Sequence, residues 1–343
     1  MKQVNWGIIG LGAVALQFAK GFNFVNNAKL LGIASKNPYK LNQFKEEFVI
    51  NSDYCFNEYQ TLLENKEIDI IYIALPTSLH REWIIKCLKN KKKLLVEKPA
   101  VINSSEIIDI KKNYYNKTNF FSEALMYVHH PQIKKVLEII NSGEIGKLIS
   151  MESNFGHDIL TKKNFFGFKK IKKLNPNNRL YNKKMGGGAI LDLGCYPVSF
   201  STLIASLLSN IDYEKVEVFD KEKEIGSTGV DLDSCASLRF ENGFLSKISA
   251  SFTKDLGKQT KILGDRAQLI IEDSWTGQSK KILIKRNNLE NKIINVDSKQ
   301  NIYSYEIENL SQCILDNKIK ADYPGLTIDD TIGNMKIIDK WLS

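Results

Sequence analysis

The sequence predicts an α/β domain, a Rossmann-type doubly wound parallel sheet, followed by an α+β domain with a large, mostly antiparallel open sheet. Three observations carry this. Apolar runs alternate with helix-like segments as far as Ser122, and strand-like runs follow one another with few helices from Lys147 onward. A glycine turn, Gly10-Leu11-Gly12-Ala13-Val14-Ala15, joins the first strand to the first helix. At 343 residues two domains are expected, drawn here as 1–122 and 123–343.

Val4–Ile9 is the first strand, and the turn after it is G-x-G-x-x-A. Gly10 permits the tight bend, Gly12 lets the backbone approach a pyrophosphate, and Ala15 keeps the next helix close. That helix, expected over Ala13–Phe24, offers the anion its first N–H groups, with Ala13 and Val14 in contact. A second strand, Lys29–Ala34, ends at Ser35-Lys36-Asn37. No acid stands there to hold a ribose 2′-hydroxyl, whereas Ser35 can donate a hydrogen bond and Lys36 brings a charge. NADP is therefore expected in preference to NAD.

Leu41–Phe48 reads as helix, Asp53–Phe56 as a short strand and Glu58–Asn65 as helix. Ile68–Leu75 is an almost unbroken β-rich run, as a strand buried on both faces should be. It stops at Pro76-Thr77, and Ser78 is expected to cap a helix over Leu79–Lys89. The stretch Leu94–Ala100 then ends a buried strand with Glu97-Lys98-Pro99, leaving two charges at the sheet's carboxyl edge, where such folds bind ligands. Leu75, Pro76, Thr77 and His80 share that edge and join Glu97 and Lys98 as expected cofactor contacts. His80 either steers a nicotinamide or is an ordinary first-turn residue. A helix over Ser104–Tyr114 and a strand over Thr118–Phe121 close the domain.

Glu123–Gln132 enters a helix to about Ile140, with Gly143 as its cap. Strands are expected at Lys147–Phe155, Val216–Phe219, Ser234–Phe240, Phe244–Phe252, Gln259–Leu263, Ala267–Glu272 and Lys281–Ile284, with a hairpin at Glu241-Asn242-Gly243. One apolar helix interrupts them. It opens with Met185-Gly186-Gly187-Gly188, whose glycines suggest close backbone approach to something flat, and it carries Asp192 and Tyr196 at i, i+4 on one face. A satisfied core Asp–Tyr pair is an equal reading of those two. The C-terminal helices, Tyr303–Leu315 and Leu326–Leu342, read as packing elements without chemistry.

Composition excludes several classes. The net charge of +9 comes from scattered lysine, with arginine at Arg81, Arg179, Arg239, Arg266 and Arg286 alone. That is a solvated surface, whereas a nucleic-acid face gathers arginine and aromatics on one element. Cys55, Cys87, Cys195, Cys235 and Cys313 are odd in number and form no C-x-x-C, as for free thiols in a reducing compartment. Strand-like sequence by Val4 leaves no room for a signal peptide, and no apolar run approaches the roughly 20 residues a bilayer needs. A cytoplasmic protein without membrane partners is expected.

Taken together, these motifs resemble the glucose–fructose oxidoreductase, inositol dehydrogenase and rhizopine-catabolism (Gfo/Idh/MocA) family. The resemblance runs over essentially the whole chain. It rests on Gly10-Leu11-Gly12, Glu97-Lys98-Pro99, Glu123-Ala124-Leu125-Met126-Tyr127 with His130-Pro131, and Gly186-Gly187-Gly188-Ala189 with Asp192, Gly194 and Tyr196. Tyr196 followed by Pro197-Val198 is similar to the branch with NADP-dependent D-xylose dehydrogenase, dihydrodiol dehydrogenase and glucose–fructose oxidoreductase. The resemblance implies metal-free hydride transfer between a nicotinamide and a carbinol carbon of a sugar or related cyclic polyol. It also implies a homodimer or homotetramer built through the C-terminal sheet. Lys98 carries over as the group that hydrogen-bonds the reacting oxygen, Tyr196 as proton donor and acceptor, and Asp192 as its neighbour. Tyr127, His157 and Arg179 are further substrate candidates. A lysine ammonium beside a phenol favours the phenolate, which is otherwise a poor prospect at neutral pH. Two features depart from the branch: Val128 where arginine is common, and the basic, aromatic-rich stretch Phe165–Leu174, read as a surface loop or a diphosphate contact. A nucleotide-sugar dehydrogenase for surface polysaccharide and a non-catalytic NADP-binding regulator are the rival functions.

Overall fold

The structure, a computed structural model, describes residues 2–163, 169–286, 289–299 and 301–343. It divides into two units. One runs to His130 and resumes over Lys299–Ile332; the other comprises Pro131–Ser298 and Gly333–Ser343. The first unit therefore passes the Ser122 boundary drawn from sequence and takes back a distant segment.

The first unit holds six parallel strands: β1 (Val4–Ile9), β2 (Ala28–Ala34), β3 (Cys55–Phe56), β4 (Ile70–Ile73), β5 (Lys93–Glu97) and β6 (Phe121–Ala124). Their order is β3-β2-β1-β4-β5-β6, so the chain reverses direction beside β1 and β4, the switch point of a doubly wound sheet. All four residues of β4 are buried, as expected of a strand covered on both faces. Helices α1 (Ala13–Lys20), α2 (Pro38–Glu47), α3 (Tyr59–Glu64), α4 (His80–Lys89) and α5 (Ser104–Asn113) make the crossovers. Three local expectations change. The first helix tightens into a 3₁₀ turn at Gly21–Phe24. Thr77–Leu79 is also 3₁₀, so α4 starts at His80 without a side-chain cap from Ser78. The last strand is Phe121–Ala124, not Thr118–Phe121, because Asn116 and Asn119 hold the preceding turn. Lys92, ahead of β5, is tied down by its ammonium donating to the Asn65 and Ile68 carbonyls.

The core of this unit is completed by the returning segment. Trp6, Phe18 and Tyr72 are fully buried beside Ile307, Leu310 and Cys313, and the Trp6 indole donates to Ser311 Oγ at 2.9 Å.

The second unit opens with helix α6 (Pro131–Asn141) and then β7 (Leu148–Gly156). A small hairpin, β8 (Thr161–Lys163) with β9 (Lys169–Ile171), follows; residues 164–168, at the heart of the basic aromatic stretch, lie outside the described residues. Helix α7 (Cys195–Ala205) precedes β10 (Glu217–Ile225), β11 (Asp231–Arg239), β12 (Leu245–Ser251), β13 (Thr260–Gly264), β14 (Ala267–Ile271), β15 (Lys281–Arg286) and β16 (Lys292–Asn295). The sheet order is β10-β11-β12-β7-β13-β14-β15-β16. Every pair is antiparallel except β12 with β7, which are parallel because the α7 segment carries the chain back across the sheet. The Asn242-Gly243 hairpin is present, with Gly243 at φ +83°. Strand β16 carries too little apolar sequence to be expected, and β10, Glu-Val-Phe-Asp-Lys-Glu-Lys-Glu-Ile, is an edge strand blunted by charge.

The helical stretch Lys183–Ala205 is long and apolar enough to cross a membrane, yet 89% of its apolar 18-residue window is buried inside the protein. It is the core helix against which the sheet packs. The two remaining helices are α8 (Tyr303–Leu315) and α9 (Ile328–Leu342).

Candidate active site

In the first unit the expected cofactor residues gather at the carboxyl edge of the sheet. Gly10 has φ +88°, and a Cβ there would meet the Ala74 carbonyl oxygen at 2.6 Å, so the turn between β1 and α1 admits glycine alone. Gly12 is the opposite case: a Cβ would meet nothing within 4 Å. Packing does not demand that glycine, and the open space lies over an α1 N-terminus that no side chain caps. Ala13 and the 39%-exposed Val14 front it. The unbonded first N–H groups and helix dipole fit a pyrophosphate.

Ser35 is buried after β2, and its Oγ accepts from the Asn37 N–H at 3.1 Å. Lys36 is exposed, its ammonium 5.9 Å from the Tyr59 ring centre. Across the switch point, Leu75 and Thr77 are buried and Pro76 is half-buried. His80 lies between two backbone carbonyls. It is 1% exposed, with Nε2 2.7 Å from the Leu75 carbonyl and Nδ1 3.0 Å from the Pro99 carbonyl. The ring ties the loop after β4 to the loop after β5.

Glu97 and Lys98 are half-buried at the end of β5, and the Lys98–Pro99 bond is cis. Glu97 accepts from the Tyr72 hydroxyl. A residue whose role was not read from sequence holds the next step of the loop. Glu123, 3% exposed on β6, accepts from the Ala100 N–H at 3.0 Å and from Thr331 Oγ1 at 2.9 Å. Burial pushes its carboxyl above the usual carboxylate range, and those two donors only partly offset the shift. Tyr127, an expected substrate contact, is wholly buried in a 3₁₀ turn, Met126–His129.

In the second unit the glycine segment and its helix form a separate constellation. The glycines do not await a flat ligand. A Cβ on Gly187 would meet the Arg179 carbonyl oxygen at 2.6 Å, and one on Gly188 (φ +119°) would meet Asp231 Oδ1 at 2.3 Å. They let the chain lie against its own loop and against Asp231, whose Oδ2 accepts from the Ile190 N–H at 2.6 Å. Asp231 thus caps the helical stretch from β11, forty-one residues away in sequence, which is why local sequence gave no sign of it.

Asp192 lies in a π turn, Ile190–Gly194, and Tyr196 in the first turn of α7. Arg179 Nη1 donates to Asp192 Oδ1 at 3.2 Å, joining two of the expected substrate residues. Tyr196 is 4% exposed and meets Phe155 edge-on at 5.1 Å and Trp275 at 5.7 Å, which fixes its ring. His157 stands against the same Phe155 at 5.6 Å, with Nδ1 3.6 Å from Asp255 Oδ1. An aromatic wall with an aspartate, an arginine and a phenol can bind a polyhydroxylated ring and exchange a proton with it.

Residues 4–124 match the family model described as an oxidoreductase family with an NAD-binding Rossmann fold, and residues 133–270 match the GFO/IDH/MocA C-terminal domain. Among similar proteins, the dTDP-3,4-didehydro-2,6-dideoxy-α-D-glucose 3-reductase of Saccharopolyspora spinosa is 26% identical over 80% of this chain and 76% of its own. The trans-1,2-dihydrobenzene-1,2-diol dehydrogenase of Xenopus tropicalis is 24% identical over 98% of this chain and 97% of its own. A 3-ketoreductase from Actinomadura kijaniata, solved with NADP and TDP-benzene, superposes with a TM-score of 0.81 at 20% identity, covering 98% of this chain and 96% of that one.

Proposed function

The chain belongs to the GFO/IDH/MocA family of oxidoreductases, and from that premise we propose hydride transfer between NADP and a carbinol or carbonyl carbon of a sugar or related cyclic polyol. The nicotinamide, when bound, supplies or takes the hydride. Everything else falls to the protein. Gly10, Gly12 and the start of α1 hold the pyrophosphate, and Ser35 with Lys36 receives a 2′-phosphate. Thr77 and Pro76, steadied through His80, shape the edge beside Lys98. The lysine ammonium hydrogen-bonds the reacting oxygen, Tyr196 gives or takes its proton, and Asp192 with Arg179 orients the ring hydroxyls.

The observation that carries this reading is the open space at Gly12 over an uncapped helix, on the same sheet edge as Lys98. A division of labour follows, with the first unit holding the nucleotide and the second the substrate.

A second reading is favoured by the relatives that act on or bind thymidine-diphosphate compounds: a nucleotide-sugar substrate. Titrating free pentoses and hexoses against dTDP- and UDP-sugars, with reduced-cofactor absorbance as readout, separates the two. Turnover confined to nucleotide sugars selects the second reading. No turnover with either class, beside tight NADP binding, would leave a non-catalytic NADP-binding protein and overturn both.

A further inference from the structure

Helix α8 carries a group that this reaction does not use. Glu306 is 0% exposed, and neither of its carboxyl oxygens has a hydrogen-bond partner. His129 Nε2 lies 3.9 Å from Oε1, too far for a hydrogen bond, and is itself buried and unpartnered. The other His129 nitrogen, Nδ1, is 3.4 Å from the Asn309 amide on the same helix. One turn before Glu306, Tyr303 meets Phe18 edge-on at 6.0 Å; Phe18 stacks on Tyr72 at 3.9 Å, and Tyr72 donates to Glu97. The titratable groups around Glu306 are thus Glu97 on β5, Tyr72 on β4, Tyr303 on α8 and His129 in the turn before α6. The charge of Glu97 acts on Glu306, Tyr303 and Tyr72 alike.

An ionised carboxylate with no donor is among the costliest groups to bury, and a second anion nearby raises that cost. We propose that Glu306, buried without a donor, keeps its proton at neutral pH, and that Glu97, which accepts from the Tyr72 hydroxyl, is the ionised carboxyl of the two, immediately before Lys98. Glu306 is then a positioning residue. By staying neutral it leaves Glu97 as the anion that accepts from Tyr72 and sets the charge next to the ammonium. That consequence rests on the dehydrogenase reading of Lys98; the retained proton does not.

The electrostatics agree in direction. Burial first, and then the charge of Glu97, push the Glu306 carboxyl well above the usual carboxylate range. Burial holds His129 down at about 4, so the imidazole does not take the proton at neutral pH. The sign follows from linkage. With the folded-state value raised above the unfolded one, the stabilising contribution is complete below the ordinary glutamate value of 4.5 and is lost as pH rises toward the folded value.

The test uses the full chain as wild type, E306Q, E97Q and the double variant. At neutral pH the infrared carbonyl band of protonated carboxyls should lose, in E306Q, the intensity of one group relative to wild type. In urea unfolding from about pH 5 to about pH 9, the ratio of wild-type to E306Q unfolding constants should grow by up to about tenfold per pH unit. In the E97Q background that growth should stop at a lower pH, because the neighbouring charge is gone. A spectrum unchanged by E306Q, or a ratio independent of pH, would show an ionised Glu306 and overturn the proposal. Equal growth in both backgrounds would overturn the pairing of a neutral Glu306 with an ionised Glu97. If E97Q does not fold, the infrared comparison of wild type with E306Q decides alone. None of these readouts needs a substrate, so their failure is separable from failure of the dehydrogenase reading.

Discussion

Single residues divide here into those whose chemistry announces itself and those whose surroundings make them matter. Lys98 belongs to the first kind, because a charge just before a proline at the end of an apolar strand has few other places to go than the sheet edge. Replacing it by alanine, or Tyr196 by phenylalanine, should lower turnover at least about a hundredfold. The dissociation constant of NADPH, read by fluorescence titration, should stay within about threefold, since neither change touches the pyrophosphate cradle. Undiminished turnover in Lys98→Ala would remove the lysine from the reaction. His80, Tyr127 and Glu306 belong to the second kind. A histidine in a first helical turn reads the same whether its ring meets a ligand or two carbonyls, and only the 2.7 and 3.0 Å contacts decide. Glu306 is invisible in sequence for a related reason. It stands in an amphipathic helix among residues that alternate between faces, and its complete burial depends on which face meets the β1–β4 core.

Between neighbouring elements, the β1–α1 turn shows how two glycines of one motif serve different ends. Gly10→Ala should cost about 2–4 kcal/mol in urea unfolding, from a left-handed φ and a Cβ pressed on a carbonyl oxygen. Gly12→Ala has open space, so stability should change by no more than about 1 kcal/mol. NADPH affinity should nevertheless fall at least about tenfold, through obstruction of the anion's approach. Equal losses of stability in the two variants would mean that Gly12 is a packing glycine after all. The Gly186–Gly188 segment teaches the reverse lesson. Three glycines ahead of a helix suggested a ligand, whereas the space at Gly187 and Gly188 is filled by the protein's own loop and Asp231.

For the molecule as a whole, the consequential finding is that the first unit is not continuous in sequence. Residues up to His130 lack Ile307, Leu310 and Cys313 from α8, and with them the partner of the Trp6 indole. A fragment ending at residue 130 should therefore fail to unfold cooperatively. The same fragment joined by a short linker to residues 299–332 should unfold in one transition and bind NADPH. Calorimetry on the pair checks this. A cooperative transition in the shorter fragment at the same temperature would show that α8 is not part of that folding unit.

Sequence by itself was enough for the fold class, the alternation of the first sheet, the Gly10 turn, the edge position of Lys98 and the Asn242-Gly243 hairpin. Each of these depends on residues within a few positions of one another, where backbone sterics, hydrophobic period and turn chemistry act. Tertiary structure alone decided that His80 ties two loops, that Asp231 caps the Asp192–Tyr196 helix, that β7 runs parallel to β12, and that Glu306 is buried without a partner. Those facts rest on contacts between segments 19 to more than 170 residues apart. Burial and hydrogen-bond satisfaction are properties of what surrounds a residue, and that is known only once the chain has closed on itself.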